Sequence, residues 1–251
     1  MVDVWVWPVG LGLLGLLLGS FIATVVVRWP KGESPLAGRS QCDACRRVLS
    51  PLDLVPVLSF ILLRGRCRSC GATIGPAHLA VELSAGAIGA MAGWAAPGFE
   101  GGSAAIFGWL LLTLAALDLA AYWLPDLLTG ALAIAGLCLG PIGFAPGIGE
   151  RLISGVAAFA VLWLIGWGYR RLRGRDGLGG GDPKLFGAIG MWLGWRALPF
   201  VLLGASMLGL AAVLLLRASG RRIGMDDRVP LGTMLAAAAW LVWLGQALAL
   251  V

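Results

Sequence analysis

Long apolar runs dominate the chain and are separated by short charged or glycine- and proline-rich breaks. A helix needs about 20 mostly apolar residues to cross the hydrocarbon core of a bilayer. Eight runs approach this requirement, at residues 9–27, 77–96, 103–123, 127–146, 152–169, 183–197, 198–217 and 230–250. The pattern therefore predicts an all-α polytopic membrane protein with about eight transmembrane helices. The sixth run is short, and six spans with one re-entrant segment is the alternative count.

The first run is interpreted as a retained span and not as a signal peptide. Residues Met1 to Pro8 carry only Asp3 as a charged side chain, so the basic segment that opens a signal peptide is missing. The apolar run is also longer than the core of a signal peptide.

The composition supports a membrane protein. Of the 251 residues 59% are hydrophobic and 13% are charged, which does not fit a soluble globular domain. The single histidine, His78, argues against soluble histidine-based catalysis and against a histidine-rich metal site.

The formal net charge of +6 is interpreted as an orientation signal and not as a nucleic-acid surface. In the eight-span scheme, 17 of the 19 Lys and Arg residues fall on one side, all except Arg151 and Arg196. The positive-inside rule then predicts that residues 28–76, 123–126, 170–182 and 218–229 face the cytoplasm, with both termini outside.

Four of the five cysteines lie in the one sizeable polar segment, residues 28–76. Cys42 with Cys45, and Cys67 with Cys70, form two CxxC pairs whose spacing lets four thiolates bind one tetrahedral metal. The pattern predicts a cytoplasmic domain with one structural zinc ion, since four cysteine ligands leave no position for a catalytic water. Disulfides or unmetallated thiols are the alternative, disfavoured by the reducing cytoplasm. Cys138, inside an apolar run, is expected to be a small buried hydrophobic residue.

Acidic side chains in or beside apolar runs are costly and call for an explanation. Four of them are considered as candidates, Glu82, Asp118, Asp126 and Asp182. Asp182 precedes Pro183 and Asp126 follows Pro125, so each can be explained as a helix cap. Asp118 lies within an apolar stretch with no cap position available, so a partner or a catalytic role is expected.

Asp182 also follows a glycine run, residues 177–181, which allows open backbone conformations and a close approach of substrate. A phosphate-binding loop is the competing interpretation. It is rejected because no strand precedes the glycines and no Lys-Ser/Thr pair follows them.

Two aspartates on different helices at the same cytoplasmic depth suit an aspartic protease, in which one carboxylate takes a proton from water and the other polarises the scissile carbonyl. Asp118 and Asp126 are separated by about 12 Å of helix rise and are poorly placed to share a proton. Asp118 with Asp182 is therefore the preferred pair, and Asp126 with Asp182 remains the alternative.

The order and spacing of these residues resemble the type IV prepilin peptidases, a GxGD family of aspartic proteases. The resemblance rests on segments along nearly the whole chain: Gly19-Ser20-Phe21 with Arg28-Trp29-Pro30, the four cysteines, Val81-Glu82-Leu83, Leu117-Asp118, Leu124-Pro125-Asp126, and Gly179-Gly180-Gly181-Asp182-Pro183-Lys184.

The resemblance implies that Asp118 and Asp182 are catalytic and that Gly179, Gly181, Lys184, Asp126 and Glu82 support the site. It divides the chain into a first transmembrane span at residues 1–27, a cytoplasmic zinc domain at 28–76 and a transmembrane GxGD peptidase domain at 77–251. It implies a multi-pass protein of the bacterial inner membrane, in contact with the lipid bilayer and with no nucleic-acid partner.

The implied substrates are type IV prepilin or pseudopilin precursors, cleaved at the cytoplasmic membrane face. Many family members then methylate the new N-terminus with S-adenosylmethionine. The residues that would bind this cofactor are not identified, and the departures from the family pattern at Ala23 and at residues 77–80 leave a peptidase without methylation as an alternative.

Two functions of other classes are alternatives. A proton- or ion-coupled transporter would use Asp118 and Glu82 as intramembrane relay sites. It is disfavoured because no charge lies near the bilayer midplane. A zinc-knuckle scaffold without chemistry would leave Asp118 unexplained.

Overall fold

The computed structural model describes residues 5–36, 39–42, 44–175, 177–220 and 229–249. Asp3, Arg221, Arg222 and Arg228, which the sequence interpretation used, lie outside these ranges. Ten α-helices make up the described part: α1 Val6–Arg28, α2 Leu58–Leu62, α3 Pro76–Ala95, α4 Phe99–Ala121, α5 Asp126–Cys138, α6 Gly140–Gly143, α7 Ile148–Arg173, α8 Asp182–Leu193, α9 Leu198–Ala218 and α10 Leu231–Ala249.

The fold is all-α, as predicted from the apolar runs. Within the described ranges the only β-pairing is two isolated bridges in the cysteine segment. Each predicted span coincides with a helix of 12 residues or more.

Five helical segments among the described residues are long and apolar enough to cross a membrane, which makes the chain a multi-pass membrane protein. They are Val6–Lys31, α4, α7, α9 and α10. Helix α5 is apolar but shorter, and α8 has 12 residues. The count of eight spans therefore stays a prediction.

Two predicted spans end earlier than the apolar pattern indicated. The run at 127–146 breaks after Cys138 into α5 and α6, where Pro141 has no N–H to continue the helical hydrogen bonds. The run at 183–197 ends at Leu193 because Gly194 adopts a left-handed φ of 75°.

The chain divides into two compact units, Met1–Trp109 and Leu110–Val251. In the first unit, α1 packs along α3 through glycines on both helices. A Cβ atom at Gly19 would lie 2.7 Å from the Cα atom of Glu82, and one at Gly15 would overlap the carbonyl of Ala85. Glycine at these positions lets the two backbones touch.

In the second unit, α8 lies at the centre and packs against α5, α7 and α10. Most of its residues are buried, including Leu185, Ile189 and Trp192. The indole N–H of Trp192 donates to the carbonyl of Leu132 at 2.8 Å, which fixes α8 to α5.

Arg151 of α7 fixes the C-terminal end of α8. The guanidinium donates to the carbonyls of Met191 and Trp192 at 3.0 Å each and to that of Phe144 at 2.8 Å. The sequence interpretation counted Arg151 among the loop charges opposite the basic side, but its side chain is fully buried. The positive charge of Arg151 also lies at the negative end of the α8 dipole, which is a stabilising arrangement.

Candidate active site and metal centre

Asp118 lies near the C-terminal end of α4 and is 6% exposed. Its Oδ2 atom accepts hydrogen bonds from the backbone N–H of Thr233 at 2.7 Å and from the Thr233 hydroxyl at 3.1 Å. The partner expected for this carboxyl group is therefore the first turn of α10.

Asp182 is the first residue of α8 and is 7% exposed. The interpretation of Asp182 as a helix cap is wrong: Gly181 occupies the N-cap position, and no side chain caps the helix. The Asp182 carboxylate turns back instead, and its Oδ2 atom accepts the N–H of Gly179 at 3.1 Å. The glycine run thus binds the carboxylate that follows it.

The segments that carry these two buried carboxyl groups meet at Leu124. A Cβ atom at Gly181 would lie 2.7 Å from the Leu124 Cβ, and one at Gly232 would lie 2.9 Å from the Leu124 Cδ1 and 3.0 Å from the Asp118 Oδ2. The structure therefore brings together the pair preferred from the sequence, while its catalytic role remains a prediction.

Asp126 is engaged elsewhere. Its Oδ1 atom lies 2.6 Å from the Nζ of Lys184, and the Asp126 side chain is 76% exposed. The two residues line a cavity of about 410 Å³ between α5, α7 and α8, whose walls include Gly155 and Phe159. Asp118 and Asp182 do not line this cavity.

Glu82 belongs to the first unit and is 9% exposed. Its Oε2 atom accepts the backbone N–H of Val57 at 2.8 Å. Val57 has a left-handed φ of 62°, unusual for a β-branched residue. Glu82 thus attaches the turn before α2 to helix α3.

The four cysteines form a cluster whose Sγ atoms all lie within 4.8 Å of one another. The Sγ atoms of Cys42 and Cys70 are 3.8 Å apart, close to the spacing of about 3.8 Å that a tetrahedral site with Zn–S bonds of about 2.3 Å requires. None of the described cysteines forms a disulfide, and Cys138 is exposed, so the expectation that it is buried is wrong. The donor set and its spacing fit one divalent metal ion held by four thiolates.

The two cysteine pairs are built alike. The N–H of Arg46 donates to the Cys42 carbonyl at 2.9 Å, and that of Gly71 donates to the Cys67 carbonyl at 3.0 Å. Both Arg46 and Gly71 have a left-handed φ, 59° and 69°. Backbone N–H groups of Cys70 and Ser69 lower the pKa of the Cys67 thiol to about 6, which favours the thiolate that a metal binds.

Asp53 connects the two cysteine knuckles. The Ser50 hydroxyl donates to its Oδ2 at 2.8 Å, and the guanidinium Nε of Arg68 lies 2.9 Å from its Oδ1. Arg47, from the first knuckle, lies 3.9 Å from Oδ2. The hydrogen bonds from Ser50, with Arg68 and Arg47, lower the pKa of Asp53.

Two family models match the chain, the bacterial peptidase A24 N-terminal domain at residues 13–96 and the type IV leader peptidase family at residues 105–214. The prepilin leader peptidase/N-methyltransferase of Burkholderia pseudomallei (strain K96243) is 39% identical over 252 residues, covering 90% of this chain and 81% of the relative. The chain belongs to the type IV leader peptidase family.

Other members of the type IV leader peptidase family give the same result. The prepilin leader peptidase/N-methyltransferases of Aeromonas hydrophila and Pseudomonas aeruginosa are 34% and 31% identical, each covering 92% of this chain and 88% of the relative. No solved structure matches the chain. As a leader peptidase family member the chain is an enzyme, and the transporter and scaffold interpretations have no support.

Three residues beside the carboxyl pair of this leader peptidase family member were not singled out from the sequence, namely Leu124, Gly232 and Thr233. Leu124 was noted only as part of the family resemblance. Thr233 follows Asp118 by 115 residues, and a threonine in the first turn of an apolar helix is an ordinary feature. Nothing local in the sequence identifies these contacts.

Proposed function

We propose that this protein is an aspartyl endopeptidase that cleaves the leader peptide from type IV prepilins and pseudopilins, with Asp118 and Asp182 as its catalytic pair. The observation that carries the proposal is a pair of carboxyl groups, each less than a tenth exposed, at the ends of two different helices whose neighbouring segments meet at Leu124. Burying two carboxyls together is costly, and aspartic proteases use such pairs to share one proton.

The chemistry follows from this pair. One carboxylate removes a proton from a water molecule, whose oxygen attacks the carbonyl carbon of the scissile peptide bond. The other carboxyl, protonated, donates a hydrogen bond to the carbonyl oxygen where negative charge develops. When the tetrahedral intermediate collapses, the C–N bond breaks and a proton passes to the leaving amine.

In both Asp118 and Asp182, Oδ2 is the oxygen that accepts the hydrogen bonds described above. Oδ1 is then the oxygen of each aspartate that these contacts leave for water and substrate. Fixing one oxygen of each group restricts its rotation, so the pair needs little reorganisation during the reaction.

The membrane position of the site completes the proposal. The charge distribution favours a carboxyl pair at the cytoplasmic face of the membrane, and the bacterial relatives favour the bacterial inner membrane. A precursor anchored by its hydrophobic segment would then present a leader on the cytoplasmic side. The names of the relatives support prepilins as substrates.

We further propose that S-adenosylmethionine-dependent methylation of the new N-terminus follows cleavage, supported by the N-methyltransferase in the same names. The four-cysteine cluster would hold a structural zinc ion through Cys42, Cys45, Cys67 and Cys70. The metal would supply folding energy to residues 28–76 and no catalytic step, because four thiolates fill its coordination sphere.

Cleavage of a purified prepilin by the purified protein in detergent tests the proposal. Asp118→Asn and Asp182→Asn should each abolish cleavage, while Glu100→Gln, an exposed acid on the same helix as Asp118, should leave it unchanged. Product masses with and without S-adenosylmethionine report methylation in the same reaction. Full cleavage by both aspartate variants, at equal amounts of folded protein, would overturn the proposal.

A further inference from the structure

We propose that the first turn of α10 is a third wall of the catalytic site, in which Gly232 and Thr233 position the Asp118 carboxylate. This inference rests on the proposed function. The sequence predicted the catalytic pair at the end of α4 and the start of α8, with supporting residues that do not include any from α10. In the structure, α10 supplies hydrogen bonds to Asp118 from Thr233 and a backbone surface against Asp118 from Gly232.

The backbone N–H of Thr233 is the fixed part of this contact. It donates to the Asp118 Oδ2 at 2.7 Å and lies at the N-terminal end of a 19-residue helix. Backbone donors at a helix N-terminus are directed along the axis and favour a negative group in front of them. This donor is independent of the side chain at position 233.

The hydroxyl of Thr233 is the adjustable part. Its oxygen lies 3.1 Å from the Asp118 Oδ2 and 3.0 Å from the carbonyl of Ala115, one turn earlier on α4. A hydroxyl has one proton to donate and lone pairs that accept. It can donate to Oδ2 of an ionised Asp118, or turn its proton to the carbonyl of Ala115 when Asp118 carries a proton and Oδ2 is the weaker acceptor.

Asp118 must pass between these two states during each turnover if it shares a proton with Asp182. A partner that satisfies both states removes the cost of leaving a buried polar group unpaired in either one. The Thr233 hydroxyl therefore keeps Asp118 in one orientation in both its ionised and its protonated state.

Gly232 acts by its small size. A Cβ atom there would lie 3.0 Å from the Asp118 Oδ2 and 2.9 Å from the Leu124 Cδ1. Both contacts are shorter than ordinary carbon contacts, so an alanine must displace the carboxylate, Leu124 or the turn itself. Leu124 in turn packs against Gly181, directly before Asp182. The three segments of the site therefore fit together without displacement of a side chain only when position 232 is a glycine.

Steady-state cleavage of a prepilin at several concentrations tests the inference. Thr233→Val should lower kcat about tenfold with little change in KM, because the backbone donor remains and substrate binding is not altered. Thr233→Ser, which keeps the hydroxyl, should stay within about twofold of the parent protein. Gly232→Ala should lower kcat more than tenfold, and Gly245→Ala should not, since its Cβ would meet no atom within 4 Å.

The outcomes separate this inference from the proposed function. If Asp118→Asn cleaves normally, the catalytic assignment fails. If Asp118→Asn is inactive but Thr233→Val and Gly232→Ala match the parent in kcat and KM, the role of α10 fails. If Thr233→Ser is as slow as Thr233→Val, and both variants unfold at the same temperature as the parent protein, the Thr233 hydroxyl has no role in positioning Asp118. Should Thr233→Val not fold, Thr233→Ala against Thr233→Ser gives the same comparison.

Discussion

Gly181 touches Leu124 so closely that a methyl group at position 181 would have its carbon 2.7 Å from the Leu124 Cβ. This contact joins the glycine run before Asp182 to the loop that follows α4. The glycine is required by its neighbour and not by its backbone angles, since its φ is −83°. The separation between the two aspartate-bearing segments thus depends on one missing side chain.

Gly181→Ala should therefore lower the cleavage rate at least tenfold. The added methyl group pushes α8 and the Leu124 loop apart, and a displacement of about 1 Å in a catalytic group can cost about 100-fold. Initial rates of prepilin cleavage at equal concentrations of folded protein would measure the effect. Gly180→Ala is the matched control, because a Cβ at Gly180 would meet no atom within 4 Å. Equal loss in both variants would mean that flexibility, and not this contact, matters.

The buried Arg151 leads to a prediction about stability. Arg151→Met should lower the free energy of unfolding by at least about 2 kcal/mol, because the carbonyls at the end of α8 lose their donor. Thermal unfolding in detergent should show a decrease of roughly 5 °C.

Arg196→Met serves as the control for Arg151, since Arg196 is exposed and lies over the ring of Trp195 at 5.6 Å. Its unfolding temperature should be within about 1 °C of the parent, as for most surface substitutions. If Arg151→Met unfolds at the temperature of the parent protein, the guanidinium does not hold the end of α8.

Metal content tests the cysteine cluster. The purified protein should contain about one zinc ion per chain, and Cys67→Ser should contain almost none, because three thiolates bind structural zinc far more weakly than four. Cys138→Ser should keep the metal, since Cys138 belongs to α5 and lies outside the cluster. Elemental analysis after gel filtration gives the ratio, and equal zinc in Cys67→Ser and the parent would reject the assignment.

Asp53→Asn should speed the transfer of zinc to a chelator several-fold, because the carboxylate holds Arg47 and Arg68 of the two knuckles together. The lowered pKa of Asp53 means that its ionised form stabilises the fold. This stabilisation is complete above the ordinary aspartate pKa of about 3.9 and is lost only as the pH falls through the lowered value.

The ratio of transfer rates between Asp53→Asn and the parent should therefore be constant from about pH 6 to pH 8. Glu33→Gln, an exposed acid of the same segment, should transfer zinc at the parental rate. A ratio that changes strongly within this pH range would show that another group is responsible.

Asp126 decides between the two aspartate pairs left open by the sequence. Because Asp126 is exposed and paired with Lys184, Asp126→Asn should lower cleavage less than about tenfold, as expected for an exposed ion pair of up to about 1 kcal/mol. Lys184→Gln should have a similar effect, and the double variant should be no worse than either single one. Inactivity as complete as that of Asp118→Asn would favour Asp126 as the catalytic partner of Asp182.

The helices were predictable from the sequence because crossing a bilayer imposes long apolar runs, and the described helices coincide with them. Their ends depend on single residues such as Gly194, whose positive φ of 75° ends α8. The cysteine cluster was predictable because its ligands are close in sequence and have a fixed spacing. Asp118 was singled out correctly as a buried acid in need of a partner.

The partner itself was not predictable. Thr233 reaches Asp118 only because α10 packs beside α4 and α8, and the sequence carries no local sign of that packing. Arg151 was misjudged for the same reason: a charge near the end of an apolar run resembles a loop charge until the carbonyls that surround it are known. Both cases depend on contacts between residues far apart in the chain.

The glycine contacts between α1 and α3 have a consequence for the cysteine segment, which begins after one of these helices and ends at the other. Because the two helices that flank the segment are in direct backbone contact, its two ends are held by a rigid helix pair. Its unfolding should then be a local event, separate from the loss of the membrane helices. Removal of the metal by a chelator would unfold the cysteine segment and leave the helices in the membrane. The supply of metal would then control the folding of this segment alone.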